Sequence, residues 1–366
     1  MKRILKWAFI LIVVALFGWF EFAYWTSTNE CDQKKAPTNP MTAIIYCSYG
    51  VANLKLEQIE KPTPADDQLL VRVKAASINP YDWHFVEGTP YVMRGMIGGL
   101  RKPKDIRLGV DFAGTVEAVG KNVTKFKPGD EVFGGRGGAL AQYVCPRESR
   151  AVALKPASVS FEDAASLNIA GLTALQGVRD KGKVQTGQKV LINGASGGVG
   201  TFAVQIAKSY GAEVTGVCST RNVDLVKSLG ADHVIDYTKE DFTKSAERYD
   251  VMLDNVGNHS LSGCRGVLTP NGKYVLIGGG NANEQGFLGG LGKALWAMVY
   301  SKFVKQPMGM MMADANGNDL AVLADMMQNG KLKAVIDRTY KLAETADAIR
   351  YLEEGHARGK VIITVE

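Results

Sequence analysis

The residues with the clearest chemical purpose lie between Gly194 and Gly200, in the run Gly-Ala-Ser-Gly-Gly-Val-Gly. A glycine-rich turn lets the backbone approach a pyrophosphate closely, and a helix starting there offers free N–H groups and a partial positive charge. The spacing that fits is Ala195-x-Gly197-x-x-Gly200, a variant in which alanine replaces the usual first glycine. The flanking text agrees. Val190-Leu191-Ile192 reads as a buried strand, and Phe202, Val204, Ile206 and Ala207 recur on one broad helical face. A second strand follows at Glu213–Cys218. Where an NAD-binding chain carries an acidic residue for the ribose 2′-hydroxyl, this chain has Ser219-Thr220-Arg221. No carboxylate stands there to repel a 2′-phosphate, and a guanidinium suits one. The expected cofactor is NADP. The alternative for Arg221 is an ordinary solvated charge at a helix start.

Length and composition set the frame for that unit. The chain has 366 residues, enough for two domains, with 46% hydrophobic and 22% charged residues and a formal net charge of +6. Lys and Arg are scattered, with no dense basic block, so no nucleic-acid partner is expected. Cys31, Cys47, Cys145, Cys218 and Cys264 form no CxxC pair, so reduced and mostly buried thiols are expected. The amino terminus differs from the rest. Lys2, Arg3 and Lys6 precede an apolar run from Trp7 to Phe20, and the window to Trp25 nearly reaches the ~20 residues that a bilayer requires. Aromatic residues at both ends suit the two interfaces. Residues 1–25 are expected to form one transmembrane anchor, a cleaved signal peptide being the rival reading. Residues 26–40 read as a flexible linker. The basic flank slightly favours a cytoplasmic amino terminus, whereas the supply of reduced nicotinamide favours a cytoplasm-facing domain. The expectation is a single-pass membrane protein with its domain in the cytoplasm.

From Met41 the text is that of a β-rich domain. Met41–Tyr46, Leu54–Gln58 and Gln68–Ala76 alternate like strands between Pro and Asp turns. Helical text begins near Ser160, which reads as an N-cap before the acidic first turn of Glu162 and Asp163. A β-domain, a glycine-turn dinucleotide unit and a return segment, in that order, resemble the medium-chain dehydrogenase/reductase superfamily. Within it the chain looks like the zinc-less quinone oxidoreductase-like group. The motifs that carry the resemblance are Ala76–Trp83, Gly109–Gly114, Lys127–Gly134, Gly194–Gly200, Gly230–Tyr237 and Gly359–Ile362. The implied fold class is α/β, a GroES-like β-domain plus a Rossmann doubly wound parallel sheet, preceded by one transmembrane helix. The implied division is 41–160, completed by 334–366, for the catalytic domain and 161–333 for the Rossmann NADP-binding domain.

The resemblance also frames the chemistry. Zinc-dependent members have a Cys where Asn79 stands and Gly-His-Glu where Val110-Asp111-Phe112 stands. The four histidines lie in unrelated motifs, so no catalytic zinc is expected. Hydride delivery to a quinone or an α,β-unsaturated carbonyl then needs only a proton donor or a hydrogen bond to oxygen. His84 matches the position of a cleft Tyr in soluble quinone reductases, and a histidine donates a proton near neutral pH. The rival is a structural helix residue. Tyr81 is the second candidate, Asn79 orders the turn near the nicotinamide, and Asp82 reads as a helix N-terminal acid. Cofactor contacts implied by the resemblance are Thr173 at the nicotinamide end, Gly197, Gly198 and Val199 at the pyrophosphate, and Ser219, Arg221 and Tyr237 at the 2′-phosphate. Val256 closes over the adenosine ribose, Gly278 lies beside the nicotinamide, and Lys360 neutralises phosphate.

One segment is extra. Leu288, Leu291, Leu295, Met298, Val299 and Lys302 recur at helical spacing, as on a helix lying on a membrane surface or buried against protein. The reading reached is an NADPH-dependent, zinc-independent reductase of lipophilic quinones or enones, and the resemblance implies a homodimer. The alternative is a membrane-anchored NADPH-binding scaffold or sensor with vestigial catalysis.

Overall fold

Strand β3 (Leu69–Ile78) organises the amino-terminal β-domain. Arg72 and Lys74 point outward from it while their neighbours are buried, the alternation that a strand with one wet face produces. The computed structural model describes Gly18 and residues 28–33, 36–95, 99–278 and 289–365. Strands β1 (Pro40–Tyr46) and β2 (Leu54–Glu60) pair as a hairpin ahead of β3. Strands β4 (Asp111–Val119), β5 (Glu131–Gly135), β6 (Tyr143–Val144) and β7 (Val152–Leu154) follow. The antiparallel run is β3-β4-β5-β7, with β6 also on β3.

The second sheet is built from β8 (Lys189–Asn193), β9 (Glu213–Cys218), β10 (His233–Asp236), β11 (Tyr249–Asp254), β12 (Leu268–Leu276) and β13 (Met308–Met310). Every pairing in it is parallel, and the spatial order is β10-β9-β8-β11-β12-β13. Renumbered within the sheet, that is 3-2-1-4-5-6, the dinucleotide-binding order, whose switch point lies between its first and fourth strands. The crevice is therefore at the carboxyl ends of β8 and β11. Val190, Leu191 and Ile192 are wholly buried there, as a strand covered on both faces requires. The chain then returns. Strand β14 (Ile336–Lys341) pairs with β15 (Lys360–Thr364), and β15 pairs with β3, so the carboxyl terminus joins the first sheet.

The expected anchor at residues 1–25 lies, apart from Gly18, outside the described residues. Among the described residues no helix is long and apolar enough to cross a membrane. The expectation of a single-pass, cytoplasm-facing membrane protein is corrected accordingly. The linker also differs where it is described. Cys31 and Cys47 form a disulfide, Cα–Cα 5.8 Å, where free thiols were expected. Asn29 donates to the carbonyls of Cys47 (2.9 Å) and Pro103 (3.2 Å), which holds this stretch against the β-domain. Proximity in the fold decided this pairing, and sixteen residues of separation without a CxxC motif gave no sign of it. Cys145, Cys218 and Cys264 are free and buried.

Candidate active site

The glycine turn follows β8 directly. Helix Gly198–Ser209 starts within it, with Gly197 at its N-cap and no side chain capping its first turn. The glycines divide by their reasons. A methyl on Gly200 would lie 2.1 Å from the Gly194 carbonyl oxygen, so the protein itself requires glycine there. Gly197 has φ −84° and ψ 179°, open to any residue, and a methyl on it would meet nothing nearer than 3.6 Å. The fold does not need that glycine, and a closely approaching diphosphate does. Gly197, Gly198 and Val199 are all partly exposed at this point. A nicotinamide dinucleotide fits this cradle.

The neighbouring strand ends close around it. Asp254, fully buried at the end of β11, accepts from Asn193 (2.9 Å), from the Gly257 N–H (2.8 Å) and from the Tyr274 hydroxyl (2.7 Å). This fixes the Asn255–Gly257 turn that carries Val256. Gly278 follows β12, and a methyl there would lie 2.0 Å from the Asn255 carbonyl oxygen. Lys293, on the helix that follows residue 289, donates to the carbonyls of Gly257 and His259.

At the end of β9, Asn222 bridges Ser196 (3.0 Å) and Ser219 (3.2 Å), linking the glycine turn to the Ser219-Thr220-Arg221 corner. Arg221 is exposed and donates to the His356 carbonyl, and Tyr237 is 55% exposed. A carboxylate does lie nearby, on the next strand. Asp236 accepts from Thr220 and Thr238, whose hydroxyls hold it well below the usual carboxylate range. It came into range by parallel pairing of β10 with β9, which a reading along the chain did not see.

Tyr81 and His84, the candidate donors, are carried by helix Pro80–Glu87, with proline at its first position, where no N–H is missed. Asn79 is buried, and its side chain is fully engaged. Its Nδ2 donates to Asp111 (2.9 Å), and its Oδ1 accepts from the Lys360 ammonium. Lys360, expected at a phosphate, is 3% exposed and turned inward, 3.6 Å from Asp111. Asp82 is buried, accepts from the Asn79 N–H (2.8 Å), and leaves its other oxygen without a partner. Burial, with Asp111 beside it, pushes the Asp82 carboxyl up to about 7. Asp111 and Asp82 were passed over in the sequence as strand and helix residues. A charge inside the apolar run Leu108–Ala113 was the available signal.

His84 and Tyr81 differ in what they can donate. His84 Nδ1 lies 2.7 Å from the Thr89 carbonyl oxygen. A carbonyl only accepts, so Nδ1 carries the proton and Nε2 presents a lone pair. Burial also lowers its pKa, which keeps the ring neutral. Tyr81 is 45% exposed, its ring tilted against Phe85 with centroids 4.2 Å apart, and burial raises its phenol, so it stays protonated. Thr173 is half-buried on helix Asn168–Gln176.

Comparison with known proteins agrees with this architecture. Residues 65–156 match the alcohol dehydrogenase GroES-like domain, and residues 229–363 match the zinc-binding dehydrogenase family. A trans-enoyl reductase of Aspergillus terreus is 37% identical over 338 residues, covering 86% of this chain and 92% of that protein. The chain belongs to the medium-chain dehydrogenase/reductase superfamily. Within that superfamily, the chloroplastic NADPH-dependent alkenal/one oxidoreductase of Arabidopsis thaliana is 34% identical, covering 88% of this chain and 79% of that protein. The solved quinone oxidoreductase of Coxiella burnetii superposes with a TM-score of 0.78 at 30% identity, over 90% of this chain and all of that one. As a superfamily member with an open dinucleotide cradle, the chain is an oxidoreductase that uses a nicotinamide cofactor.

The helix at Gly290–Tyr300 leaves much of its sequence stripe exposed. It buries Ala294 and Ala297 against Tyr274 and Met308, while Leu295, Trp296, Met298 and Val299 are exposed. The small residues allow the helix to lie close to the sheet, and the large ones face out.

Proposed function

We propose that this chain is an NADPH-dependent, zinc-independent reductase that delivers hydride to a quinone or to the β-carbon of an α,β-unsaturated carbonyl. The observation that carries this reading is Gly197, a glycine that the fold does not need, at the start of an uncapped helix. Arg221 and Ser219 support a 2′-phosphate at the corner beyond it, and the relatives named for enoyl, alkenal/one and quinone substrates support the acceptor class. A bound nicotinamide would supply the hydride to the β-carbon, the C=C electrons would shift toward the carbonyl as an enolate, and a side-chain donor of this chain would deliver the proton to the α-carbon. Tyr81 is the better donor, since the His84 nitrogen that is free of its carbonyl carries no proton.

The domain division proposed with this reading is 41–160 with 334–366, and 161–333. The pairing of β15 with β3 supports it. A homodimer belongs to the same reading, with exposed Trp296, Met298 and Phe303 as the apolar face a second copy covers. Sedimentation at micromolar concentration reads a dimer if this is right and a monomer if it is wrong.

The test is NADPH oxidation by the purified chain with a panel of quinones, enones and aldehydes, NADH in parallel and EDTA in one set. EDTA-insensitive turnover of an enone or quinone with NADPH is expected. Tight NADPH binding without turnover on any acceptor sinks the reading and favours a cofactor-binding scaffold.

A further inference from the structure

Zinc is the metal that the matched dehydrogenase family implies, and the residues present do not fit it. The two segments where zinc-dependent members carry ligands hold Asn79 and Asp111, and among the described residues no three His, Cys, Asp or Glu side chains converge on a common point. The cation found between Asn79 and Asp111 is instead a side chain. We propose that the Lys360 ammonium is the resident cation of this site: a positioning residue that holds Asn79 and Asp111, and through them the starts of helices Pro80–Glu87 and Asn168–Gln176.

The geometry supports each link. Lys360 and Asp111 are almost wholly withdrawn from solvent, so neither charge is answered by water and each needs the other. The ammonium donates to Asn79 Oδ1 and lies 3.4 Å from the Ile78 carbonyl oxygen. Asp111 passes the constraint on. One oxygen accepts from Ser77 (2.8 Å) and Asn79 (2.9 Å). The other accepts from the Asn168 side chain (2.8 Å) and the Ile169 N–H (3.2 Å), at the start of the helix that carries Thr173. The lysine stem runs under the dinucleotide turn. Gly359, at φ +91°, donates to the Ser196 carbonyl (2.9 Å), and a methyl on Gly198 would lie 3.2 Å from Lys360 Cδ. Gly359 and Lys360, side by side, thus link the pyrophosphate turn, the Pro80–Glu87 helix and, through Asp111, the Thr173 helix. An ammonium has no empty orbital, so it fixes the frame and leaves polarisation of the substrate to hydrogen bonds.

The decisive experiment is Lys360→Ala with and without ethylammonium, which replaces the missing end of the side chain. For the variant, kcat should fall roughly tenfold or more, with the NADPH dissociation constant within about threefold of the parent, because misplacement acts on the reacting geometry. Ethylammonium should restore part of the rate, and Lys360→Arg should retain more of it than Lys360→Ala. Hydrogen exchange at residues 79–84 and 168–173 should quicken in Lys360→Ala and slow again with ethylammonium. That readout needs no turnover, so it decides this inference even if the parent protein reduces nothing and the reductase reading fails. Should Lys360→Ala be unfolded, the neutral pair Lys360→Met with Asp111→Asn leaves no charge unpaired, and is expected to fold yet stay slow with quickened exchange. Parent-like kcat and exchange in a folded Lys360→Ala or in the neutral pair would overturn the proposal, as would exchange that ethylammonium does not slow.

Discussion

The glycine turn and the Asn79–Lys360 cluster are both motif-bearing, both lie between the two sheets, and are opposite in character. In the turn, Gly197 is a residue no protein neighbour requires, and the helix N–H groups beside it have no side-chain cap. In the cluster, Asn79, Asp111 and Lys360 are buried and bonded to one another. Motif residues with bonding capacity left open face a ligand, and motif residues with that capacity used up hold the frame. The contrast separates residues that a family resemblance alone would put in one list.

The sharpest way to break it lies within the turn. Gly200→Ala drives a methyl into the Gly194 carbonyl and should cost about 3 kcal/mol of stability or more, read by denaturant unfolding. Gly197→Ala should leave stability unchanged and weaken NADPH binding about tenfold or more, read by nicotinamide fluorescence. Equal effects on stability from the two variants would erase the distinction.

On the catalytic helix, Tyr81→Phe should lower kcat roughly 100-fold, the usual scale for a proton donor, while His84→Gln stays within about fivefold. The reverse ranking would move the donor to His84. Arg221→Asp should raise the NADPH dissociation constant roughly 30-fold and leave NADH nearly unaffected, since the lost contact is charge-assisted. Unchanged NADPH affinity would return Arg221 to an ordinary surface charge.

The smallest effect belongs to the cluster. Asp82 holds its proton up to about pH 7 in the folded chain and only to about 4 unfolded. The folded state therefore binds the extra proton between those values, and stability falls as pH rises through that window. Asp82→Asn should flatten this slope and stabilise the protein at pH 8 by on the order of 2 kcal/mol, read by thermal unfolding at pH 5 and pH 8. A parent-like slope in the variant would assign the titration elsewhere.

Much of this was legible in the chain. Val190–Ile192 before the glycine turn, Glu213–Cys218 after it, and the Ser160 cap, whose Oγ accepts from the Asp163 N–H at 3.0 Å, all follow local rules. Long-range contacts were not legible. The sheet pairing brought Asp236 beside Thr220, the return of β15 put Lys360 between Asn79 and Asp111, and the fold joined Cys31 to Cys47. The stripe from Leu291 to Val299 left open whether it lies on a surface or is buried; close packing on the sheet selected Ala294 and Ala297 and left Leu295, Met298 and Val299 exposed.

The central claim is that hydride passes from a nicotinamide held at the Gly197 turn to an electron-poor carbon. Its most direct measurement is turnover of an enone with NADPH deuterated at C4, on each face in turn, followed by mass analysis of the product. One of the two labelled cofactors should place a single deuterium on the carbon β to the carbonyl. Product without deuterium from both cofactors, or deuterium scattered by exchange with water, would contradict the account.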